Sequence, residues 1–313
     1  MPWKDGYTIC DEQSMRDEDV EWPGDNRCAV GIVVDLRVRL DSHDRSDRVQ
    51  GHPKNIELKI ENDLAGFGMR IGNRRVLDLL DQHAIKATFA VPEVMASMYP
   101  ESVREIMERG HEVAAHGYAR EDFITAGYEE ERKMLASTTG ALKELLGKKP
   151  AGWFSLPQPQ DKFAGGQISP HTVNLLIDEG YEYLGNGMAD DIPFYWVANH
   201  STRRTVLTLP YYFHLDDQFF LMFPSVGTGT GLENPASLLQ NWKEEFDAIY
   251  LRGRYFPMVI HPFLTGWGNH LEIFETMIVH MKNHPGVWFA TGSECCRYWK
   301  DKYPVATSLK LTD

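Results

Sequence analysis

The sequence predicts an α/β protein whose strands form a parallel sheet or barrel. Short apolar runs bounded by polar residues recur along the chain, beginning with CAVGIVV at residues 28–34, and their length suits buried strands. Between them lie stretches of ten or more residues with apolar positions at helical spacing. Such alternation is the pattern of parallel strands joined by crossover helices. The 313 residues fit one decorated barrel, and 42% apolar with 12% aromatic residues suffice for a large core.

Residues 1–27 are charged and carry no periodicity, so they read as an arm wrapped on the domain, with Trp3 and Trp22 as anchors. The barrel is expected over 28–305 and a tail over 306–313. The run at 28–34 suits a strand buried on both faces and ends at Asp35. Residues 36–63 are polar, include His43 and His52, and read as a long loop of the kind that carries function. Val76, Leu77, Leu79 and Leu80 share a helical face before the strand KATFAV at 86–91, and Pro92 opens another helix. Ser102–Arg109 forms the next helix, stopped by Gly110 and followed by the strand EVAA at 112–115.

Leu135, Thr138, Leu142 and Leu145 then repeat at helical spacing, Gly147 and Pro150 end that helix, and a strand lies near Trp153. A helix after Pro170 ends at Gly180 and leads into a strand around Tyr181–Leu184. The pattern resumes with the strand PMVIHP at 257–262, a helix from Asn269, VWFA at 287–290 and a last helix. Residues 190–235 break the rhythm: VLTLPYYF and QFFLMF suggest a strand-rich excursion. Its aromatics, Phe194, Tyr195, Trp196, Tyr211 and Tyr212, are expected either to cover a neighbour's pocket in a homo-oligomer or to cap their own barrel.

A formal charge of −13 repels phosphate backbones and anionic lipid, which makes nucleic acid and membrane poor partners. No apolar run approaches the ~20 residues that span a bilayer. The N-terminal residues lack a secretory pattern, so a cytoplasmic location is expected. Cys10, Cys28, Cys295 and Cys296 form no CxxC spacing, which removes a zinc-finger reading. One of the adjacent pair in the last helix is expected to face inward as a small apolar residue. GTGTG at 227–231 lacks the Lys-Ser/Thr of a phosphate loop and reads as a flexible loop.

Asp35, His116, the Trp153–Pro157 segment and His261 each directly follow a predicted strand, at the edge where parallel α/β architectures place their sites. A single Asp there is commonly a cap, and a single buried His commonly a satisfied core group. Convergence of several on one rim is what marks a site.

The stretch KATFAVPEVMASMYPESVREIMERGHEVAAHGYAREDF resembles the polysaccharide-deacetylase, or NodB-homology, family, with its strand ending in an Asp pair, its strand–helix unit and its GHE(I/V)xxHxxxH segment. GWFSLPQPQ resembles a degraded RxPxG segment, and SPHTVNLLIDEGYEY and MVIHPFLTG continue the likeness over about residues 28 to 300. The resemblance implies a distorted (β/α) barrel of the NodB-homology type and hydrolysis of an amide-like C–N bond. In metal-dependent members the first Asp is a general base, while the second Asp and both histidines hold a divalent ion. Two His four residues apart on a helix share a face and can reach one metal.

Carried over, the first Asp is Asp35, but the second acidic position holds Leu36 or Arg37; the first His is His116, and the fourth residue on is Arg120. Arginine stays protonated and cannot ligate a metal, so its charge is a candidate to hold a substrate carbonyl or anionic group instead. The usual metal site is therefore expected to be absent and no cofactor is expected. A divalent metal such as zinc remains open through Asp35 and His116, with Asp41, His43 or His261 converging.

Where the family carries an arginine this chain has Trp153-Phe154-Ser155-Leu156-Pro157, an apolar wall suited to a compact ligand. His261 matches the family's late histidine, the general acid that protonates the leaving nitrogen, and Asp190 or Asp191 is a candidate to orient it or to contact substrate. The departures and the DDIPFYW segment are similar to those of the metal-independent, allantoinase-like ureide hydrolases. In Phe67–Gly72, Arg70 is either a ligand contact, as in that branch, or a solvated residue of a helix turn. The expected function is hydrolysis of an amide, cyclic imide or ureide in a small molecule, with Asp35 as base and His261 as acid. The alternatives are a metal-dependent saccharide N-deacetylase and an inactive small-molecule binding module.

Overall fold

The computed structural model describes residues 15–36, 66–117, 127–156, 168–221 and 234–309. Among these, nine strands form one sheet: β1 (Cys28–Asp35), β2 (Thr88–Val91), β3 (Glu112–Ala115), β4 (Gly152–Trp153), β5 (Tyr183–Gly187), β6 (Phe194–Asn199), β7 (Arg204–Pro210), β8 (Tyr255–Ile260) and β9 (Val287–Phe289). Their order is β6-β7-β5-β4-β3-β2-β1-β8, with β9 paired to β1. Every pairing is parallel except β6 with β7. One edge of β1 carries β8 along Ala29–Val34; the other is shared, with β9 against Cys28–Val30 and β2 against Val33–Asp35. Beyond β7 the chain returns at Asp216 to bridge in parallel to Val259 of β8. The sheet thus curls upon itself as a distorted (β/α) barrel.

The helices are α1 (Asn73–Gln82), entered through a π-helical turn at Gly68–Gly72, then α2 (Glu93–Met98), α3 (Pro100–Glu108), α4 (Tyr128–Leu146), α5 (Thr172–Asp178), α6 (Asp217–Leu221), α7 (Pro235–Arg252), α8 (Pro262–Thr265), α9 (Gly268–Lys282), α10 (Gly292–Lys302) and α11 (Val305–Ser308). Strand pleating divides the core in two. Along β1, Cys28, Val30, Ile32 and Val34 face the outer helices with Val76, Leu80, Leu142 and Met277. Ala29 and Val33 face the interior with Phe154, Tyr183, Tyr211 and Tyr255, as a two-residue period requires. Gly31 shares the inner face because a Cβ there would sit 1.8 Å from the Tyr255 hydroxyl. The interior is filled, leaving a cavity of about 10 Å³ lined by Gly31, Phe154, Tyr211 and Tyr255, room for about one water.

The end of the barrel where β1 begins is stoppered by α10. Thr291 caps that helix reciprocally with Glu294, and the Glu112 carboxylate accepts from Thr88 Oγ1 at 3.0 Å, Tyr183 Oη at 2.9 Å, the Ser293 amide at 2.9 Å and the Ser293 hydroxyl. A carboxylate at a helix N-terminus is favoured by the exposed amides there. Cys295 and Cys296 are both buried, where one was expected, because the stopper helix is covered on more than one face. Trp22 packs on Trp299 with centroids 5.4 Å apart and donates its indole N–H to Gly253 O at 2.8 Å; Trp3, Cys10 and the 227–231 glycines lie outside the described residues.

The expected excursion contains the antiparallel β6–β7 hairpin. Of the two expectations for its aromatics, packing within their own chain is the one observed: Phe194, Tyr195, Trp196 and Tyr211 are buried there and Tyr212 is half-buried. β6 extends the sheet beyond β7, and its side chains alternate between the outer core, with Trp196 and Ala198, and the inner one, with Tyr195 and Val197. No helix among the described residues is long and apolar enough to cross a membrane.

Candidate active site

Asp35 is the last residue of β1, and its odd position puts it on the inner face with Ala29, Gly31 and Val33. His116 directly follows β3, with its amide donating to Val91 O at 3.1 Å. His261 directly follows β8 and precedes the short helix α8, whose Leu264 and Thr265 amides both donate to the His261 carbonyl at 2.8 Å. Three parallel strands therefore deliver the three side chains to the same rim. His261 Nε2 lies 3.2 Å from Asp35 Oδ2, and His116 Nε2 lies 3.8 Å from that same oxygen. Asp35 and His261 are fully buried and His116 is nearly so.

The other face of the His261 ring meets Asp217, with Nδ1 2.6 Å from Oδ1. Asp217 Oδ2 takes the His261 backbone N–H at 3.0 Å and the Thr265 hydroxyl at 2.6 Å. A carboxylate held by two other donors cannot rotate away, so Nδ1 is kept as the donor and Nε2 is directed at Asp35. Asp216 stands 3.6 Å from Nδ1 through Oδ1; its oxygens take Tyr211 Oη at 2.8 Å, the Gln218 amide at 3.0 Å and Gln218 Nε2 at 2.9 Å. Burial disfavours the charged imidazole of His261, but Asp217 and Asp216 outweigh it and push its pKa up to about 10. Burial, opposed by His261, pushes Asp216 up to about 6.

The segment that carries His261 is seated by two glycines. A Cβ at Gly72 would lie 2.1 Å from Pro262 O, and one at Gly68 would lie 2.8 Å from Phe263 Cβ. The π-helical turn at 68–72 therefore docks against α8 with no room for a side chain of its own at Gly68 or Gly72, and π-turns of this kind are common beside functional sites. Arg70 on that turn is exposed and donates to Gly66 O at 3.1 Å, the helix-turn arrangement. The structure does not bring it to the Asp35–His261 cluster.

Other expected contacts separate. Trp153 points outward, edge-on to Tyr181 at 5.5 Å, with its indole N–H on Ser155 Oγ at 2.9 Å; strand alternation makes it an outer-core residue and not a wall of the site. Phe154 faces inward against Tyr183 and lines the small interior cavity. Asp191 pairs with Arg254 at 3.4 Å, and its carbonyl accepts from the Tyr255 amide at the start of β8. That is about 20 Å of strand from His261, at the opposite rim. Asp190, beside it, is pushed up to about 6 mainly by burial. The carboxylate that orients His261 is Asp217, which sequence reading missed; its one signal is the second Asp-Asp pair, at 216–217. Thr265, four residues past His261, was missed as well. Arg37, Asp41, His43, Arg120 and Pro157 lie outside the described residues.

The donor set does not fit the three-ligand ion of metal-dependent relatives. Asp35 and His116 face one another, but Leu36 is buried in the outer apolar layer and offers no donor atom, and an arginine at 120 cannot replace the second histidine. Asp216, Asp217 and His261 are also close enough to chelate. Both carboxylates there are engaged by protein donors, so that group is satisfied as a hydrogen-bonded network.

Residues 68–184 match the family pattern described as polysaccharide deacetylase. A peptidoglycan deacetylase from Helicobacter pylori is 27% identical over 252 residues, covering 73% of this chain and 83% of that protein. A crystal structure described as that of a putative polysaccharide deacetylase from Mycobacterium smegmatis superposes with a TM-score of 0.77 at 28% identity, covering 94% of this chain and 96% of that one. An allantoinase crystal structure superposes with a TM-score of 0.77 at 24% identity over 93% and 95% of the two chains, a likeness of fold.

Proposed function

We propose that this chain, which is similar to polysaccharide deacetylases, is a hydrolase of C–N bonds other than peptide bonds in which Asp35 and His261 are base and acid, acting on an amide, cyclic imide or ureide in a small molecule. The observation that carries this reading is the buried line Asp217–His261–Asp35, with its 2.6 and 3.2 Å contacts. Asp35 takes a proton from water as the water oxygen bonds to the substrate carbonyl carbon. His261, held as an imidazolium by Asp217, gives its Nε2 proton to the nitrogen as the C–N bond breaks. Asp35 then carries one proton more and His261 one fewer. Transfer across their 3.2 Å contact restores both. His116 Nε2, near the same carboxylate oxygen, is suited to steady the water or the developing oxyanion.

Complete burial of acid and base favours a ligand small enough to be enclosed. The name of the Helicobacter pylori relative favours a second reading, removal of an acetyl group from a saccharide. The test is turnover of a panel of cyclic imides, ureides and N-acetylated saccharides by the whole chain, before and after chelation. Ring opening that resists chelation and falls at least 10²-fold in Asp35→Asn and in His261→Asn supports the proposal. Acetate release from N-acetylglucosamine oligomers that chelation stops would replace it with the second reading.

A further inference from the structure

We propose a metal-binding site outside the catalytic rim, formed by Asp247 of α7 with His280 and His284 of α9 and the turn that follows it, for a divalent transition ion such as zinc. His280 is in the last turn of α9 and His284 lies two residues past its end, where the two rings come together with centroids 4.9 Å apart. Both approach one oxygen: His280 Nε2 is 2.7 Å and His284 Nε2 is 3.6 Å from Asp247 Oδ1. Ligands about 2.1 Å from an ion stand about 3 to 3.5 Å from one another. The three ligand atoms already lie within 4.8 Å of one another, and the 2.7 Å contact widens as the ion takes the place of the shared proton.

A second feature prepares the rings as ligands. His284 Nδ1 is 2.9 Å from the His280 carbonyl oxygen, which accepts and cannot donate. Nδ1 therefore carries the proton and the Nε2 lone pair is left for an ion, the outer-shell arrangement by which proteins fix a ligating imidazole. Phe246 packs edge-on against both rings at 5.7 and 5.1 Å, and Tyr250 against His284 at 4.8 Å, which limits the rotamers the pair can adopt. The Asp247 side chain is 49% exposed and the two histidines 23% and 26%, so an ion can enter from solvent and keep water at its remaining position. Two imidazoles and one carboxylate suit zinc, cobalt, nickel or copper over magnesium or calcium.

His280 lies twelve residues along α9 from its start, about 18 Å by helical rise, so the site is separate from Asp35 and His261. An ion there would tie α7, which packs on β8 and β1, to its neighbour α9. The test is titration of the whole metal-free chain with cobalt(II), read by its visible d–d absorption, then with zinc by competition. One equivalent of cobalt is expected in the parent and in Asp35→Asn, with affinity reduced at least tenfold in His284→Gln and in Asp247→Asn. Circular dichroism and thermal unfolding check that these surface variants fold. A cobalt spectrum unchanged in His284→Gln, one lost only in Asp35→Asn, or no binding at micromolar cobalt would overturn the proposal.

Discussion

Asp217→Asn should remove the charge that keeps His261 protonated while hardly changing side-chain volume. The carboxylate accepts three donors, His261 Nδ1, the His261 amide and the Thr265 hydroxyl. Asparagine has one oxygen to offer them. If that oxygen keeps the amide and Thr265, its NH₂ group meets Nδ1, which must surrender its proton and accept. The ring then becomes neutral, and burial, which already opposes its charge, adds to the change. A fall from about 10 back to the ordinary imidazole value of 6.5 would be worth about 5 kcal/mol at ~1.4 kcal/mol per unit. Asp216, 3.6 Å from Nδ1, keeps part of the attraction, so a loss of about 2–4 kcal/mol is expected, or about 30- to 10³-fold in kcat/KM.

The assay is kcat/KM against pH on the best substrate from the panel, paired with NMR of the His261 ring. In the parent the acid form persists until pH passes about 10, and in Asp217→Asn the alkaline limb should move to neutral pH or below. Stability gives an independent reading. A histidine whose folded pKa is raised stabilises the fold fully below its unfolded value, near 6.5, and loses that contribution as pH rises through about 10. The stability difference between parent and Asp217→Asn should therefore be largest below pH 6.5 and shrink toward pH 10. An alkaline limb that stays in place, with the ring still cationic at pH 8, would refute the assignment of Asp217.

Three further substitutions separate positioning from chemistry. Gly72→Ala places a methyl 2.1 Å from Pro262 O; at about 1–3 kcal/mol for overpacking the melting temperature should fall by roughly 2–10 °C and kcat at least tenfold, and an unchanged thermal scan would show that the turn at 262–266 is not fixed by this contact. Leu36→Asp buries a carboxylate in the outer apolar layer; it should cost about 3 kcal/mol or more and add no metal binding at the catalytic rim, whereas a stoichiometric ion held with Asp35 and His116 would show that Leu36 is all that separates this site from a metal-dependent one. Glu112→Gln weakens four hydrogen bonds at the barrel stopper; urea unfolding should show a loss of about 2–4 kcal/mol with the pH profile of the folded enzyme intact, and a shifted profile would argue for coupling between the two ends.

Most strands were legible as short apolar runs closed by polar residues, whereas the start of QFFLMF, equally apolar, lies in the helix α6 at Asp217–Leu221 and not in a strand; Asp35, His116 and His261 were legible because each follows such a run directly. What failed lies where one residue of register decides the answer. The two-residue strand β4 gives no alternation to read, so Trp153 and Phe154 looked alike although they face opposite cores. The Asp-Asp pairs at 190–191 and 216–217 are equivalent in sequence. Only the return of the chain beside β8 at Asp216 selects the second pair. The turn at Gly68–Gly72 was read through its arginine, but its glycines make the contact, because α8 approaches its backbone too closely for a Cβ.

The proposed acid, His261, and the proposed base, Asp35, are fixed by different parts of the molecule. Asp35 belongs to β1, which is paired on both edges, so its place is set by the barrel itself. His261 leaves the sheet one residue earlier. Its orientation depends on α8, on the glycine turn behind it and on a carboxylate from the segment that follows the β6–β7 hairpin. That segment carries Asp216 and Asp217 together, one 3.6 Å and the other 2.6 Å from Nδ1, and so sets how strongly the imidazole holds its proton. A change in the excursion can retune the acid without touching the strand that holds the base. Asp217 is thus expected to set both the proton affinity of His261 and the pH-dependent part of the stability, whereas Glu112 at the far end is expected to change stability without moving the pH profile.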